Sequence, residues 1–167
     1  MAENVYESLR QLLDRHPTGC PPAPEIIDIL KILFTEEEAK VALALGFRPY
    51  PLDLIAARVG SDSKEVHKHL EALADRGVVF AKEKNSTWHY ALLPVLPGLF
   101  EFPFMKGERS STLDRLSNLW HIYLQKLGKT LGSPSMPFAR VITIQETVPH
   151  EPEVLTYERV DEMIDQS

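Results

Sequence analysis

Apolar residues recur every three or four positions between residues 63 and 75, and polar residues fill the places between them. The apolar positions are Val66, Leu70 and Leu73. This spacing predicts a helix with one buried face. Asp62 and Glu65 predict a capping box at the start of the helix, and Gly77 predicts a left-handed residue at its end.

A two-stranded hairpin is predicted directly after that helix. Residues 78–80 are apolar, and the polar run that follows them has Asn85 and Ser86 at its tip. Apolar residues then alternate with others at Trp88, Tyr90 and Leu92. Alternation predicts a strand with one packed face. We therefore expect the two aromatic residues of this strand in the core rather than stacked on a nucleic-acid base.

Two more helices are predicted upstream. Residues 52–59 form a short amphipathic pattern that ends at Gly60, and Thr35 with Glu38 predicts another capping box before an apolar run to residue 45. Helix, tight turn, helix and hairpin follow in the order of a winged helix-turn-helix. The predicted fold is therefore mainly α with a small β-hairpin wing: a winged helix-turn-helix with additional N- and C-terminal helices.

The pattern divides the chain into four regions. They are an N-terminal helical arm with a Pro-rich loop (1–24), the winged helix-turn-helix domain (25–105), a long amphipathic helix (106–135), and a C-terminal strand and acidic tail leading to a missing domain (136–167). In the last region, residues 138–148 alternate as a strand, and a helix is predicted to begin near residue 157.

Apolar residues after the hairpin form a candidate surface for a protein partner or a homodimer. The segment 91–104 has too many prolines for a central strand, and we expect Leu99, Phe100, Phe102 and Phe104 to pack down. The long helix carries an apolar stripe that either packs on its own domain or pairs across a dimer. The partner or dimer candidates are Phe100, Phe102, Leu113, Leu116, Trp120, Tyr123 and Leu127.

Charge is unevenly distributed along the chain. The formal net charge is -6, and residues 145–167 alone carry seven acids and one base, so the remaining chain is neutral. The predicted helix and hairpin balance five bases against five acids, whereas DNA binding usually relies on a basic stripe. The candidate DNA contacts are Ser63, Lys64, His67, Lys68, Lys82 and Lys84.

Catalytic and metal-binding motifs are missing, so we expect no enzyme and no resident metal. The single cysteine, Cys20, allows no internal disulfide and no four-cysteine site, and His67 and His69 point about 200° apart on a helix. No apolar run reaches the roughly 18 residues of a membrane span, and the N-terminus lacks a secretory pattern. We therefore expect a cytoplasmic protein that does not enter a membrane.

Most of residues 25–165 resembles the N-terminal region of bacterial and archaeal proteins that join a winged-helix domain to a C-terminal 4Fe-4S ferredoxin-type domain. The similar stretches are EIIDILKILFTEEEAKVAL, PLDLIAARVG to ALADRGVVF, YALLPVLPGLFEFPFMKG, and PFARVITIQETVP with VLTYERVDEMI. In that family the chain continues into cysteine motifs that hold the clusters. The resemblance implies no cofactor in this chain, with 4Fe-4S clusters expected only in a C-terminal continuation.

Three functional hypotheses remain, of which a small enzyme or metal-binding protein is the one that the missing motifs disfavour; the other two are as follows. The first is a non-catalytic winged-helix interaction or regulatory module of an iron-sulfur electron-transfer protein, with a protein partner or a fused ferredoxin domain as its partner. The alternative is a dimeric DNA-binding transcriptional regulator, in which residues 63–68 enter the major groove of duplex DNA and Lys82 and Lys84 contact phosphate.

Overall fold

The computed structural model describes residues 4–131 and residue 159, with side chains up to residue 126 and at residue 159. The described chain is mainly helical, as the residue pattern predicts. Its small antiparallel sheet has three strands, one more than the predicted two-stranded hairpin. The helices are α1 (Val5–Asp14), α2 (Pro24–Leu33), α3 (Glu36–Leu43), α4 (Leu52–Val59), α5 (Ser63–Asp75) and α6 (Ser111–Leu131). The strands are β1 (Tyr50–Pro51), β2 (Val79–Lys84) and β3 (Thr87–Leu92).

The first three helices pack together because each has an apolar face. α3 begins with the predicted capping box: Glu38 N donates to Thr35 Oγ1 at 3.2 Å, and Thr35 N donates to Glu38 Oε2 at 2.8 Å. Leu9 and Leu13 of α1 are fully buried in the same apolar cluster as Leu70 of α5. α1, which the sequence suggested as part of an arm, therefore contributes to the core.

The turn between α4 and α5 is set by local chemistry. Gly60 has a φ of 76° and ends α4. The Asp62 carboxylate then caps α5 by accepting from Lys64 N at 2.9 Å. Among the described hydrogen bonds, the Asp62 side chain accepts from Lys64 N and not from Glu65 N, and Glu65 makes none back to Asp62. Asp62 therefore caps α5 as predicted, but the predicted capping box does not form. At the other end, Gly77 adopts a φ of 77°, and the following residue closes the helix with a bond from Val78 N to Leu73 O of 3.0 Å.

The sheet has the order β1-β3-β2, and β2 and β3 form the predicted hairpin. Asn85 and Ser86 connect them with φ values of 52° and 57°, as a two-residue hairpin turn requires. Tyr90 is fully buried, but Trp88 is 36% exposed. The expectation that both aromatic residues lie in the core is therefore wrong for Trp88, because it pairs with Glu83 near the hairpin tip, where the core no longer reaches.

The segment after β3 crosses the molecule as an irregular stretch, Val95–Leu99, and a short 3-10 turn, Phe102–Phe104. Leu99 is fully buried, and the Phe100 ring packs edge-on against Trp120 at 5.6 Å between centroids. Phe102 is 38% exposed, so the expectation that its ring packs down is wrong. The Phe102 backbone lies close to Gly77, since a Cβ added to Gly77 would lie 3.0 Å from the Phe102 carbonyl carbon and 3.1 Å from its oxygen.

α6 lies against α2 and buries its apolar stripe there. Within the stripe, Leu116 and Trp120 are each 1% exposed and Tyr123 is fully buried. Tyr123 Oη donates to Pro21 O at 3.0 Å, which fixes α6 to the loop before α2. Of the two alternatives for the stripe, packing on its own domain is the one that these residues follow.

The strand expected at 138–148 and the helix expected from residue 157 lie outside the described residues, except for Arg159, which is helical and exposed. The side chain of Leu127 also lies outside them.

Candidate functional site

The solvent-facing side of α5 carries two lysines without ionic partners. Because successive helical residues are rotated by about 100°, Lys64 and Lys68 lie opposite the buried face of the helix. Both are exposed, and neither forms an ion pair in the part of the chain that the structure describes. Ser63 is half-buried, and its Oγ donates to Asp53 Oδ1 at 3.3 Å, so this hydroxyl is turned towards α4.

His67 lies at the edge of this surface and is turned towards the hairpin. The sequence suggested an outward-facing side chain, but its side chain is only 29% exposed. Its Nδ1 lies 2.8 Å from Tyr90 Oη, and its ring centroid lies 6.2 Å from that of Trp88. The contact joins α5 to β3 across 23 positions of sequence, so no local signal could have identified it.

The lysines of the hairpin face away from α5. Paired residues of an antiparallel ladder share a face, and Glu83 pairs with Trp88, which contacts His67. Alternation along β2 therefore places Lys82 and Lys84 on the opposite face of the hairpin. Both are exposed, but they do not extend the lysine pair of α5 into one continuous patch.

Carboxylates reduce the positive charge of this region. Glu65 and Glu71 are exposed on α5 and Glu83 is exposed on β2. Arg76 is one of the five bases of the helix and hairpin, but its charge is paired with Glu38 of α3. Its guanidinium donates to both Glu38 carboxylate oxygens, at 2.9 and 3.1 Å. The free cations near α5 are therefore single lysines rather than a broad basic stripe.

Most residues of the candidate partner surface are buried within the protein. Leu116, Trp120 and Tyr123 are buried within the chain, and Leu113 and Phe100 are partly buried against the same core. Phe102 remains 38% exposed, and its neighbour Met105 is 75% exposed. The described part of this segment therefore exposes only a small apolar area to a protein partner.

Cys20 is a structural thiol. It is fully buried, and burial raises its pKa to about 12. Its backbone N donates to Asp14 Oδ1 at 2.6 Å, and its carbonyl accepts from Arg10 Nη1 at 2.7 Å. Among the described residues, no group of three or more His, Cys, Asp or Glu side chains is arranged to hold a metal ion.

No known protein family, curated protein or solved structure matches the chain. The resemblance to ferredoxin-linked winged-helix proteins therefore stays a prediction. Within residues 4–131, no helix is both long and apolar enough to cross a membrane.

Proposed function

We propose that residues 36–92 form a winged helix-turn-helix and that α5 binds duplex DNA. The order of elements supports this fold: α3, β1, α4, α5 and a hairpin follow one another, and β1 joins the sheet beside β3. A tight turn at Gly60 separates α4 from α5. Such an arrangement presents the second helix of the pair to the major groove and the hairpin to the flanking backbone.

The proposal is supported by two exposed lysines of α5 that form no ion pair with any residue that the structure describes. Lys64 and Lys68 are one helical turn apart, on a helix whose opposite face is fully buried. A helix of this kind fits the width of the major groove, and its lysines can neutralise phosphates without first breaking an internal ion pair.

The described contacts give DNA binding more support than the interaction module. The interaction module drew its support from apolar residues of the 91–104 segment and of α6, and Trp120, Tyr123 and Leu116 are buried within the chain. Lys64 and Lys68 of α5 are exposed, and no described carboxylate pairs with them. Duplex DNA is therefore the better-supported partner, and the iron-sulfur-associated module becomes the second candidate.

Salt dependence of binding to a mixed-sequence duplex tests the proposal. We expect log affinity to fall linearly with log salt concentration, and Lys64→Ala and Lys68→Ala each to reduce the slope by about 1. Lys68→Glu should abolish binding, because it adds a carboxylate where phosphate would lie. Arg115→Glu, which makes the same charge change at an exposed position of α6, is the matched control and should bind like the wild type.

Weak binding that is equally reduced by Lys68→Glu and Arg115→Glu would contradict the proposal, because it would reflect total charge and not the surface of α5. In that case the interaction module becomes the better hypothesis. The carboxylates Glu65, Glu71 and Glu83 around α5, together with exposed Phe102 and Met105, fit a protein partner better than a polyanion.

A further inference from the structure

The imidazole of His67 is held in one orientation by the hairpin. Its Nδ1 lies 2.8 Å from Tyr90 Oη. The Tyr90 and Trp88 rings flank it, with centroids 6.0 and 6.2 Å from its own. Trp88 in turn stacks on Tyr90 at an interplanar angle of 23°. The ring of His67 therefore cannot rotate freely about its side-chain bonds.

The contact with Tyr90 also determines where the imidazole carries its hydrogen. Tyr90 is fully buried, and its hydroxyl has His67 as its one hydrogen-bond partner among the described residues. Burial raises the Tyr90 pKa to about 12, so the hydroxyl keeps its proton. A buried hydroxyl without another acceptor donates to the one that is present. Nδ1 of His67 is then the acceptor, and Nε2 carries the hydrogen.

Among the described residues, no acceptor lies within hydrogen-bond distance of His67 Nε2. The nearest carboxylate oxygen, Glu71 Oε1, lies 3.6 Å away, which is too far for a hydrogen bond. Position 67 lies directly before Lys68 and three residues after Lys64, on the hairpin side of the exposed face. The Nε2–H of His67 is therefore an oriented hydrogen-bond donor next to Lys64 and Lys68.

We propose that His67 is a specificity-determining residue whose Nε2–H donates to the major-groove edge of a purine, with guanine preferred, and that Tyr90 is its positioning residue. This inference rests on the proposed binding of duplex DNA by α5. Guanine presents two adjacent acceptors, N7 and O6, whereas the N6 amino group of adenine places a second donor beside N7. A single fixed donor thus favours guanine.

The tautomer can be tested without DNA. Long-range 1H–15N correlation spectra of the full chain at about pH 8, above the ordinary titration range of imidazole, should show a bare Nδ1 and a protonated Nε2 for His67. The signal is assigned by its loss in His67→Gln. Tyr90→Phe should convert it to a mixture of tautomers. A mixture, or a protonated Nδ1, in the wild-type protein would overturn the proposal.

Base preference is tested by selection from randomised duplexes. We expect one purine position at which guanine is preferred by roughly 3- to 10-fold, the value of a single hydrogen bond. His67→Ala and Tyr90→Phe should remove that preference and leave the other positions and the salt slope unchanged. Glu71→Gln should retain it. If His67 had only a structural role, His67→Ala would lower the melting temperature without altering the selected bases.

The outcomes separate this inference from the function on which it rests. In one outcome, the wild type binds DNA, Lys68→Glu abolishes binding, and His67→Ala selects the same bases with the same preference. This outcome supports DNA binding by α5 and refutes the role of His67. If Lys68→Glu has no specific effect and no sequence is selected, both are refuted.

Discussion

At the scale of single residues, Gly77 is restricted for two independent reasons. Its φ of 77° is a conformation that residues with a Cβ rarely adopt. A Cβ added there would also lie 3.0 Å from both the carbonyl carbon and the Cβ of Phe102. The positive φ of Gly77 is needed to end α5. The close contact comes from the segment after β3, which packs over Gly77.

Gly77→Ala is expected to lower the free energy of unfolding by roughly 2–4 kcal/mol, because left-handed strain and a backbone clash add together. Urea unfolding measures this loss. Gly60→Ala is the matched control, since Gly60 has a φ of 76° and nothing within 4 Å of an added Cβ. It should lose only about 1–2 kcal/mol. Equal losses would show that the contact with Phe102 contributes nothing.

At the scale of elements, Glu38 and Arg76 join three helices. Glu38 caps α3, and its carboxylate accepts two hydrogen bonds from Arg76 at the C-terminal end of α5. Arg76 Nη1 also donates to Leu33 O of α2 at 2.6 Å. Burial opposes ionisation of Glu38 and is the largest influence on its pKa, but the bonds from Arg76 and Thr35 outweigh it and hold the pKa below its ordinary value.

This depressed pKa predicts a loss of stability in acid. The unfolded carboxyl binds protons at higher pH than the folded one, so the contribution of Glu38 is complete above its ordinary value of 4.5 and is lost as the pH falls through the folded pKa. Glu38→Gln should lower the free energy of unfolding by roughly 1–3 kcal/mol at neutral pH. It should also weaken the dependence of stability on pH in acid.

Urea unfolding at neutral pH and at about pH 4 measures both effects. The control is Glu37→Gln, on the exposed side of the same helical turn, which should stay within about 0.5 kcal/mol of the wild type. An identical acid response in wild type and Glu38→Gln would contradict the assigned role of the Glu38 carboxylate.

At the scale of the whole molecule, α6 completes the core. Leu116, Trp120 and Tyr123 face α2 and the loop before it, and Lys126 Nζ lies 2.7 Å from Glu25 Oε2 at the N-terminal end of α2. The described part of α6 is thus bound to its own chain along its apolar face. Leu116, Trp120 and Tyr123 are therefore covered by residues of the same chain.

Leu116→Ala is expected to cost roughly 2–5 kcal/mol of unfolding free energy, because it leaves a cavity between α6 and α2. Ile122→Ala, at a position 45% exposed, is the control and should change stability little. The loss should be independent of protein concentration. A melting temperature that rises with concentration in the wild type, and no longer does so in Leu116→Ala, would instead indicate a stripe shared between two copies.

The local features of this protein could be predicted from sequence alone. Thr35 with Glu38 and Asp62 mark helix starts, Gly60 and Gly77 mark helix ends, and the two-residue turn at Asn85 fixes the hairpin. Each depends on hydrogen bonds or dihedral angles of residues close together in the chain, so the sequence carries the full information. The periodicity of apolar residues likewise predicted which face of α5 is buried.

The contacts between side chains that are far apart in the sequence depend on the tertiary structure. The bond between His67 and Tyr90, the removal of Arg76 from the cationic surface by Glu38, and the exposure of Trp88 and Phe102 all depend on which elements meet in space. An apolar or ionisable residue has the same identity whether it packs, pairs or faces solvent. Its role therefore follows from the neighbours that the packing of distant segments supplies.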